Sequence, residues 1–239
     1  MTLPITIGTA VAVIKQAYQN AGLIPMEAAE PSSEQYANGM NRLNMMIQFW
    51  QTQGLKLWTN VDYPLGLTQG VNFYSFGLVG TVSVTRPLRV PFAYFTDSTG
   101  IRRPLEMISR QEWSTLSQVN QQGAPNSIFV DKQQTTLNVY VWLTPDAVTA
   151  TGTLDLVLQS QIVYAAGLLD TLNFPVEWAL ALVWGLSEQL AIGQPPTIVQ
   201  TCNMNATLYR TALENWDVED ASTFFTMDHR GAYSNYGFR

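Results

Sequence analysis

The chain has 239 residues, of which 46% are hydrophobic and only 13% are charged, and its net charge is −6. The charged fraction is about half that of an ordinary globular protein, yet no apolar run reaches the ~20 residues that cross a bilayer. The acidic balance excludes the basic surface that tight nucleic-acid binding requires. Because residues 1–18 also lack the basic start of a signal peptide, we expect a soluble, unexported chain that covers its surplus apolar surface by self-association.

Two helices are predicted in the first quarter of the chain. The first spans about residues 6–21 and ends at Gly22, because glycine tolerates the left-handed backbone found at helix C-termini. Its apolar face comprises Ile7, Val11, Ile14 and Tyr18. The second helix spans residues 33–53 and begins after Ser32, which has capping-box spacing with Gln35. Its apolar face comprises Tyr36, Met40, Leu43, Ile47 and Trp50.

Strands are predicted after Gly54, where an alternating run begins. The clearest strands lie at residues 70–77, 90–96, 101–107, 127–131, 137–143 and 153–159. Pro91 and Pro104 fall inside two of these runs, so we expect both prolines at sheet edges or bulges. Six or seven short strands at this spacing are typical of a sandwich or small barrel.

Three further helices are predicted. Ser109 and Glu112 have capping-box spacing, which indicates a short helix inside the strand region. A longer helix covers residues 174–192, and another opens at Thr197 with Gln200 three positions later. The apolar face of that last helix comprises Val199, Cys202, Ala206, Tyr209, Leu213 and Trp216.

The order of these elements predicts an α+β fold. The simplest assembly is a helical bundle made from residues 1–55 and 161–220, with a β-rich domain, a sandwich or barrel, inserted at residues 56–160. Residues 221–239 then form an extended C-terminal arm.

The C-terminal arm is unusually aromatic for a chain end that only needs to be soluble. Its aromatic residues, which follow no helical or strand period, are Phe224, Phe225, Tyr233, Tyr236 and Phe238. Either the arm is a strap packed on its own domain, or it orders on a partner with the aromatics as anchors and with Arg230 and Arg239 as polar contacts.

The charges are distributed unevenly along the chain. Five arginines lie near its middle, namely Arg86, Arg89, Arg102, Arg103 and Arg110. Residues 161–220 hold one basic residue, Arg210, against Asp170, Glu177, Glu188, Glu214, Asp217, Glu219 and Asp220. These regions are either ordinary solvated faces or the two sides of a head-to-tail contact between copies. In the second case the candidate inter-subunit contacts are Arg86, Arg89, Arg102 and Arg103.

Catalytic chemistry has few candidates. Cys202 and His229 are the only cysteine and histidine, so disulfides within the chain and Cys/His metal clusters are excluded, and nucleophilic catalysis could use only His229. Nucleotide-binding, metalloprotease and nucleophile-elbow motifs do not occur. Glu177 and Glu188 could share a helix face, but their spacing puts them about 16 Å apart, beyond the separations that glycosidases use. We therefore predict no enzyme activity, no metal and no cofactor.

Two possible ligand sites, for a cation and for a sugar, each have a simpler structural explanation. An acidic group at Asp217, Glu219 and Asp220 could hold a hard cation, although simple exposure is favoured. The seven tryptophans could form a sugar-binding platform, but their spacing favours core packing for five or more of them. They are Trp50, Trp58, Trp113, Trp142, Trp178, Trp184 and Trp216.

An ordered set of short motifs runs from residue 5 to about residue 215. The first are Gly22, Pro31-Ser32-Ser33-Glu34, Leu43-Asn44, Trp50 and Gly54-Leu55. The later ones are Arg86-Pro87, Ile108-Ser109-Arg110-Gln111-Glu112-Trp113, Gly123-Ala124-Pro125, Leu143-Thr144-Pro145 and Phe174-Pro175-Val176-Glu177-Trp178. This set resembles the head-to-tail adaptor proteins of tailed bacteriophages, the tail accessory factor or packaged-DNA-stabilization type of short-tailed phages.

The resemblance implies a structural protein of the virion neck that is made in the host cytoplasm. Such a connector forms a homo-oligomeric ring, commonly a dodecamer, under the portal protein, extends the DNA channel, retains packaged DNA until ejection and carries tail nozzle, tube or fibre proteins. Double-stranded DNA passes through without specific binding, and no membrane is involved. The arm then binds the portal through Phe224, Phe225, Arg230, Tyr233, Tyr236, Phe238 and Arg239. The alternatives are another virion structural module, such as a tail-tube, tail-completion or fibre-attachment protein, and a peptidoglycan hydrolase.

Overall fold

The chain folds as an α+β protein, with helices at both ends of its described part and strands between them. The computed structural model describes residues 8–26, 30–53 and 57–217. Five α-helices lie within these residues: α1 (Ala10–Asn20), α2 (Ser33–Trp50), α3 (Arg110–Thr115), α4 (Ala179–Leu190) and α5 (Pro196–Trp216). The eight strands there are β1 (Asn60–Gly66), β2 (Phe73–Phe76), β3 (Arg89–Thr96), β4 (Arg102–Pro104), β5 (Glu106–Ile108), β6 (Ser127–Lys132), β7 (Leu137–Trp142) and β8 (Thr153–Gln159).

Helix α1 is shorter than predicted because the residues at its N-terminus bond to a distant part of the chain. Thr9 forms a β-bridge with Thr171, which keeps the backbone extended before Ala10. The backbone N–H groups of Ala10 and Val11, which have no partner inside the helix, bond to the carbonyls of Asp170 and Leu168 over 3.1 and 2.9 Å. The predicted start at residue 6 was therefore wrong, Val11 is only half-buried, and Ile7 lies outside the described residues.

Helix α2 begins as predicted, with a complete capping box. The Ser32 hydroxyl accepts from the backbone N–H of Gln35, and the Gln35 side chain accepts from the backbone N–H of Ser32. The expected face is turned inward, with Leu43, Ile47 and Trp50 buried. The helix ends at Trp50 rather than at residue 53.

The predicted strand start after Gly54 was wrong. Gly54 itself lies outside the described residues, and Leu57–Thr59 is a 3₁₀ turn, so β1 begins only at Asn60. Trp58 explains the delay, because its ring packs 5.2 Å from Trp178 and 5.8 Å from Phe174 in the helical part of the protein. That contact holds the chain away from the sheet for one more turn.

The strands form two four-stranded sheets, in the orders β1-β8-β3-β4 and β2-β7-β6-β5. The pairs are antiparallel except for β5 with β6, which are parallel. Pro91 lies at a register shift in β3, and Pro104 lies in the edge strand β4, so the prediction for both prolines is confirmed.

The strand predicted over residues 101–107 is split between the two sheets. Leu105 is the crossing point: its side chain is buried, and its backbone N–H bonds to the carbonyl of Ala93 in β3 over 3.0 Å. The next N–H, of Glu106, bonds instead to the carbonyl of Asn126 beside β6, over 2.9 Å. Burial of the Leu105 side chain thus divides the strand into β4 and β5.

The helices near the C-terminus follow the predicted positions with four differences, the first being that α4 ends at Leu190 rather than at residue 192. The helix predicted from residue 174 opens as a 3₁₀ turn, Val176–Trp178, before α4. Helix α5 begins at Pro196, which suits a first helical position, and Thr197 provides no cap. Trp216 is 63% exposed, against the prediction, because α5 is about 32 Å long and overhangs α4, which is about 18 Å long.

Two hydrophobic cores account for most of the buried side chains. The first is built by α1, α2, α4 and α5 from both ends of the described chain, and its large members include Ile14, Leu43, Ile47, Trp178 and Leu186. Gly185 lets α4 approach α2, since a Cβ there would lie 2.7 Å from the Trp50 ring. The second core lies between residues 67 and 158 and includes Phe76, Phe95, Ile128, Leu137, Leu154 and Leu156. The division into domains stays a prediction.

Candidate interaction surfaces

The residues considered for catalysis are not brought together. Glu177 is exposed in the turn before α4, whereas Glu188 is half-buried near the other end of that helix. Cys202 is buried, and burial raises the pKa of its thiol, with a smaller contribution from the Glu188 charge. The described residues contain no group of three or more Cys, His, Asp or Glu side chains that could hold a metal ion. His229, Glu219 and Asp220 lie outside them.

Four of the seven tryptophans contact the helical core, so the prediction of five or more was wrong. Trp50 and Trp178 are buried there, and Trp58 and Trp184 are partly buried and pack against this core. The remaining three are half-buried or exposed outside the two cores: Trp113, Trp142 and Trp216. The ring of Trp113 instead joins an aromatic cluster on the second sheet, 6.0 Å from Phe129 and 5.3 Å from Tyr140.

Arg102 and Arg103 are consecutive residues of the exposed edge strand β4, so their side chains leave the strand toward opposite faces. The guanidinium of Arg102 lies 4.8 Å from the centre of the Tyr94 ring, and Arg103 lies 3.7 Å from the carboxylate of Asp97. The pKa of Asp97 is lowered by the Thr99 hydroxyl first, then by backbone N–H groups and, least, by Arg103. Both arginines keep donors that face solvent.

The other arginines of the middle region make separate local contacts. Arg86 donates from Nε to the carbonyl of Gln133 over 2.8 Å, and Arg89 donates to the Gln159 side chain. Arg110 is ion-paired with Asp131. Among the five arginines, Arg102 and Arg103 are adjacent in one exposed edge strand, and each is a candidate contact on its own face of that strand.

A loop before α4, residues 161–173, is tied firmly to α2. The Asn44 side chain makes two hydrogen bonds to the backbone of Ala165, donating to its carbonyl over 2.9 Å and accepting from its N–H over 3.1 Å. The Gln51 side chain accepts from the N–H of Ile162 over 3.0 Å. We name residues 161–173 the apolar loop.

The apolar loop is also tied to itself and to α1. The Asp170 carboxylate accepts from the N–H groups of Ala166 and Gly167 over 2.9 and 2.7 Å. The carbonyls of Leu168 and Asp170 accept the two N–H groups at the start of α1. The loop backbone is therefore held at several points along its length.

In spite of these ties, the apolar loop exposes large apolar side chains. Leu169 is 81% exposed, and Val163 and Tyr164 are exposed beside it. Sequence reasoning missed this surface, although the Leu43-Asn44 pair that holds it was among the quoted motifs. A well-anchored loop with an apolar outer surface is typical of a protein–protein contact.

A groove lies between α2, α4 and α5, with a volume of about 440 Å³. Phe49 and Ile192 form its exposed apolar walls, and Met46 lies deeper. Glu188 and Arg210 also line it, both half-buried, and neither forms an ion pair with another described residue. We name this surface the α2–α5 groove.

No model of a known protein family matches the chain, and no curated protein matches it. Across residues 8–26, 30–53 and 57–217, none of the helices is both long and apolar enough to cross a membrane. The predicted portal-binding residues all lie outside the described part of the chain: Phe224, Phe225, Arg230, Tyr233, Tyr236, Phe238 and Arg239.

Proposed function

We propose that this chain is a structural head-to-tail connector of a tailed bacteriophage, forming a ring under the portal that extends the DNA channel, helps to retain packaged DNA and carries tail proteins. The proposal rests on the ordered motifs from Gly22 to Trp178 and on the surfaces described above. In this proposal α1, α2, α4 and α5 form a helical bundle, and the two sheets form a sandwich-like insertion, as their two separate cores suggest.

The observation that carries the proposal is the apolar loop, because its backbone is held while its side chains are exposed. Leu169, Val163 and Tyr164 are exposed, and burying them against another protein would be favourable by about 25 cal/mol per Å² of apolar surface. Exposed apolar residues on α5, including Met204, Leu208 and Trp216, extend the same argument. A chain that leaves this much apolar surface uncovered is suited to assembly.

Electron microscopy of the purified chain mixed with the portal rings of its phage tests the proposal, with the chain alone as control. We expect a ring seated under the portal, with a central hole wide enough for duplex DNA. Rings of the chain alone would mean that assembly needs no template. Binding to tail proteins but never to the portal would overturn the connector function in favour of a tail module.

The C-terminal arm is tested by deleting residues 223–239. We expect the truncated chain to keep the circular dichroism spectrum and unfolding transition of the full chain, because both described cores end before this segment. We expect it to lose attachment to the portal, because the aromatic anchors are gone. Attachment at full strength would refute the role of the arm.

The paired arginines of β4 provide a second test of assembly. Reversing Arg102 and Arg103 to glutamate should weaken the ring if they face an acidic surface of the next copy. Each single reversal is compared with Lys132→Glu, an exposed reversal on β6 that changes the net charge by the same amount. A ring of unchanged stability in the double variant would remove these residues from the interface.

A further inference from the structure

The apolar loop and the α2–α5 groove lie on opposite flanks of α2. Asn44 and Gln51 point to the loop, whereas Met46 and Phe49 line the groove. Helix positions two apart, such as 44 and 46 or 49 and 51, point about 200° apart. The helical part of the protein therefore presents an apolar projection on one side and an apolar recess on the other.

The two surfaces are also complementary in charge. Asp170 is the only charged residue in the apolar loop, and it is exposed. Arg210 is the only basic residue between positions 161 and 217, and it lines the groove without an ion pair to any described residue. The groove also holds Glu188, whose carboxylate can accept a hydrogen bond from an incoming hydroxyl, and the loop carries one on Tyr164.

We propose that the apolar loop of one copy docks into the α2–α5 groove of the next copy, with Asp170 facing Arg210. Leu169 fills the apolar part of the groove between Phe49 and Ile192. The contact rests on the proposed ring, and it names the two surfaces that build it. Because the surfaces are different and lie on opposite sides, the contact is head-to-tail, which closes into a ring when the rotation between copies permits.

Cysteine cross-linking tests this pairing. Leu169→Cys and Ile192→Cys are placed together in one chain, since both positions are highly exposed, at 81% and 74%, and their substitution should leave the fold intact. The native Cys202 is buried and does not compete. Mild oxidation, and in parallel a short bismaleimide, are applied to the chain alone and to the chain bound to portal rings.

We expect the double variant to give a ladder of covalent oligomers in denaturing gels, because each copy is linked to two neighbours. An equal mixture of the two single variants should stop at dimers. Leu169→Cys with Leu78→Cys, an equally exposed position in the β region, is the matched control and should give no ladder.

The outcomes separate the contact from the connector function. Rings on the portal without a ladder would overturn the contact but not the connector function. A ladder from chains that never bind the portal would support the contact and overturn the connector function. Dimers alone from the double variant would indicate a two-fold contact and refute the head-to-tail one. Cross-linking of Phe225→Cys to Ile192→Cys in place of the loop would assign the groove to the C-terminal segment.

The charge pair is tested by Arg210→Glu, which places a carboxylate opposite Asp170. We expect self-association, measured by sedimentation, to weaken at least about tenfold, because a paired charge becomes a repulsive one. Thr211→Glu adds a negative charge one position away on the exposed side of α5 and should leave association nearly unchanged. Equal effects of the two variants would contradict the pairing.

Discussion

The loss of the Asn44 amide should destabilise the helical part of the protein by more than an ordinary change on a helix. Asn44→Ala removes both hydrogen bonds to Ala165, which contribute about 0.5–1.5 kcal/mol each. Ala165 is only 5% exposed, so its N–H and carbonyl would lose their partners where water has poor access. Against this, alanine gains up to about 0.7 kcal/mol of helix propensity. The expected net loss is about 0.3–2.3 kcal/mol, toward the upper end of that range because the two backbone groups of Ala165 are left unpaired in a buried place.

The assay is urea unfolding followed by tryptophan fluorescence, since Trp50, Trp58 and Trp178 all report on the helical core. The matched control is Asn38→Ala, an exposed site on the same helix. It receives the same propensity gain but loses an exposed hydrogen bond from Arg42, so its stability should change by less than about 0.5 kcal/mol. Equal midpoints for the two alanine variants would refute the anchoring role of Asn44.

A second variant separates the donor from the acceptor. Asn44→Asp keeps an acceptor for the N–H of Ala165 but places a carboxylate against its carbonyl at neutral pH. Protonation restores a donor, so the pKa of the introduced carboxyl should be raised in the folded state. A group with a raised pKa stabilises the folded state more as pH falls. The difference in unfolding free energy between Asn44→Asp and the unmodified chain should therefore shrink below about pH 5. A deficit independent of pH would contradict the geometry.

Three further predictions concern packing, capping and titration. Gly185→Ala should cost about 1–3 kcal/mol in urea unfolding, because the new methyl group meets the Trp50 ring at 2.7 Å, whereas Gly66→Ala has no atom within 4 Å to meet and should be nearly neutral. Ser32→Ala should lower thermal stability by about 0.5–2 kcal/mol through loss of the α2 cap; no change would refute the capping box. The pKa of Glu112 is lowered from 4.5 by hydrogen bonds from Ser109, so its stabilising effect is present above that value and is lost as pH falls through the lowered pKa. NMR titration should give a midpoint below 4.5, and a normal midpoint would contradict the bonding at this cap.

Local chemistry explains which elements could be predicted from the sequence. The capping boxes at Ser32 and Ser109 formed as expected, since each needs only residues within three positions. The strand over Thr153–Gln159 was predicted to the residue, because its alternation reflects one buried face. The two prolines fell at a bulge and an edge for the equally local reason that proline has no N–H to donate.

The errors arose where distant segments meet. The start of α1 is decided by Leu168 and Asp170, about 160 positions away, and no local pattern near Ala10 carries that information. The division of residues 101–107 between two sheets likewise depends on the burial of Leu105. Helix α5 was expected to bury Trp216 because periodicity reports which face is apolar but not where the partner helix ends.

The candidate surfaces were largely invisible for the same reason. Residues 161–173 have neither helical nor alternating period, so their apolar side chains gave no element and no reason to expect exposure. The groove brings Phe49 together with Arg210 from helices far apart in the chain. The uneven charge distribution around Arg210 was the one sequence signal for these surfaces. It indicated a contact between copies but not where on the fold that contact lies.

The two cores draw on different lengths of chain, so they should fold in a set order during synthesis on the ribosome. The core between residues 67 and 158 is complete in one stretch, so it can collapse while the remainder of the chain is still being made. The other core must wait, because α1 and α2 find their partners only once residues 162–206 have emerged. During that interval α1 and α2 can pack only against each other, and the rest of their apolar surface stays exposed, which favours aggregation of the nascent chain. Circular permutation that joins the helices in sequence would shorten this exposed stage and should speed refolding.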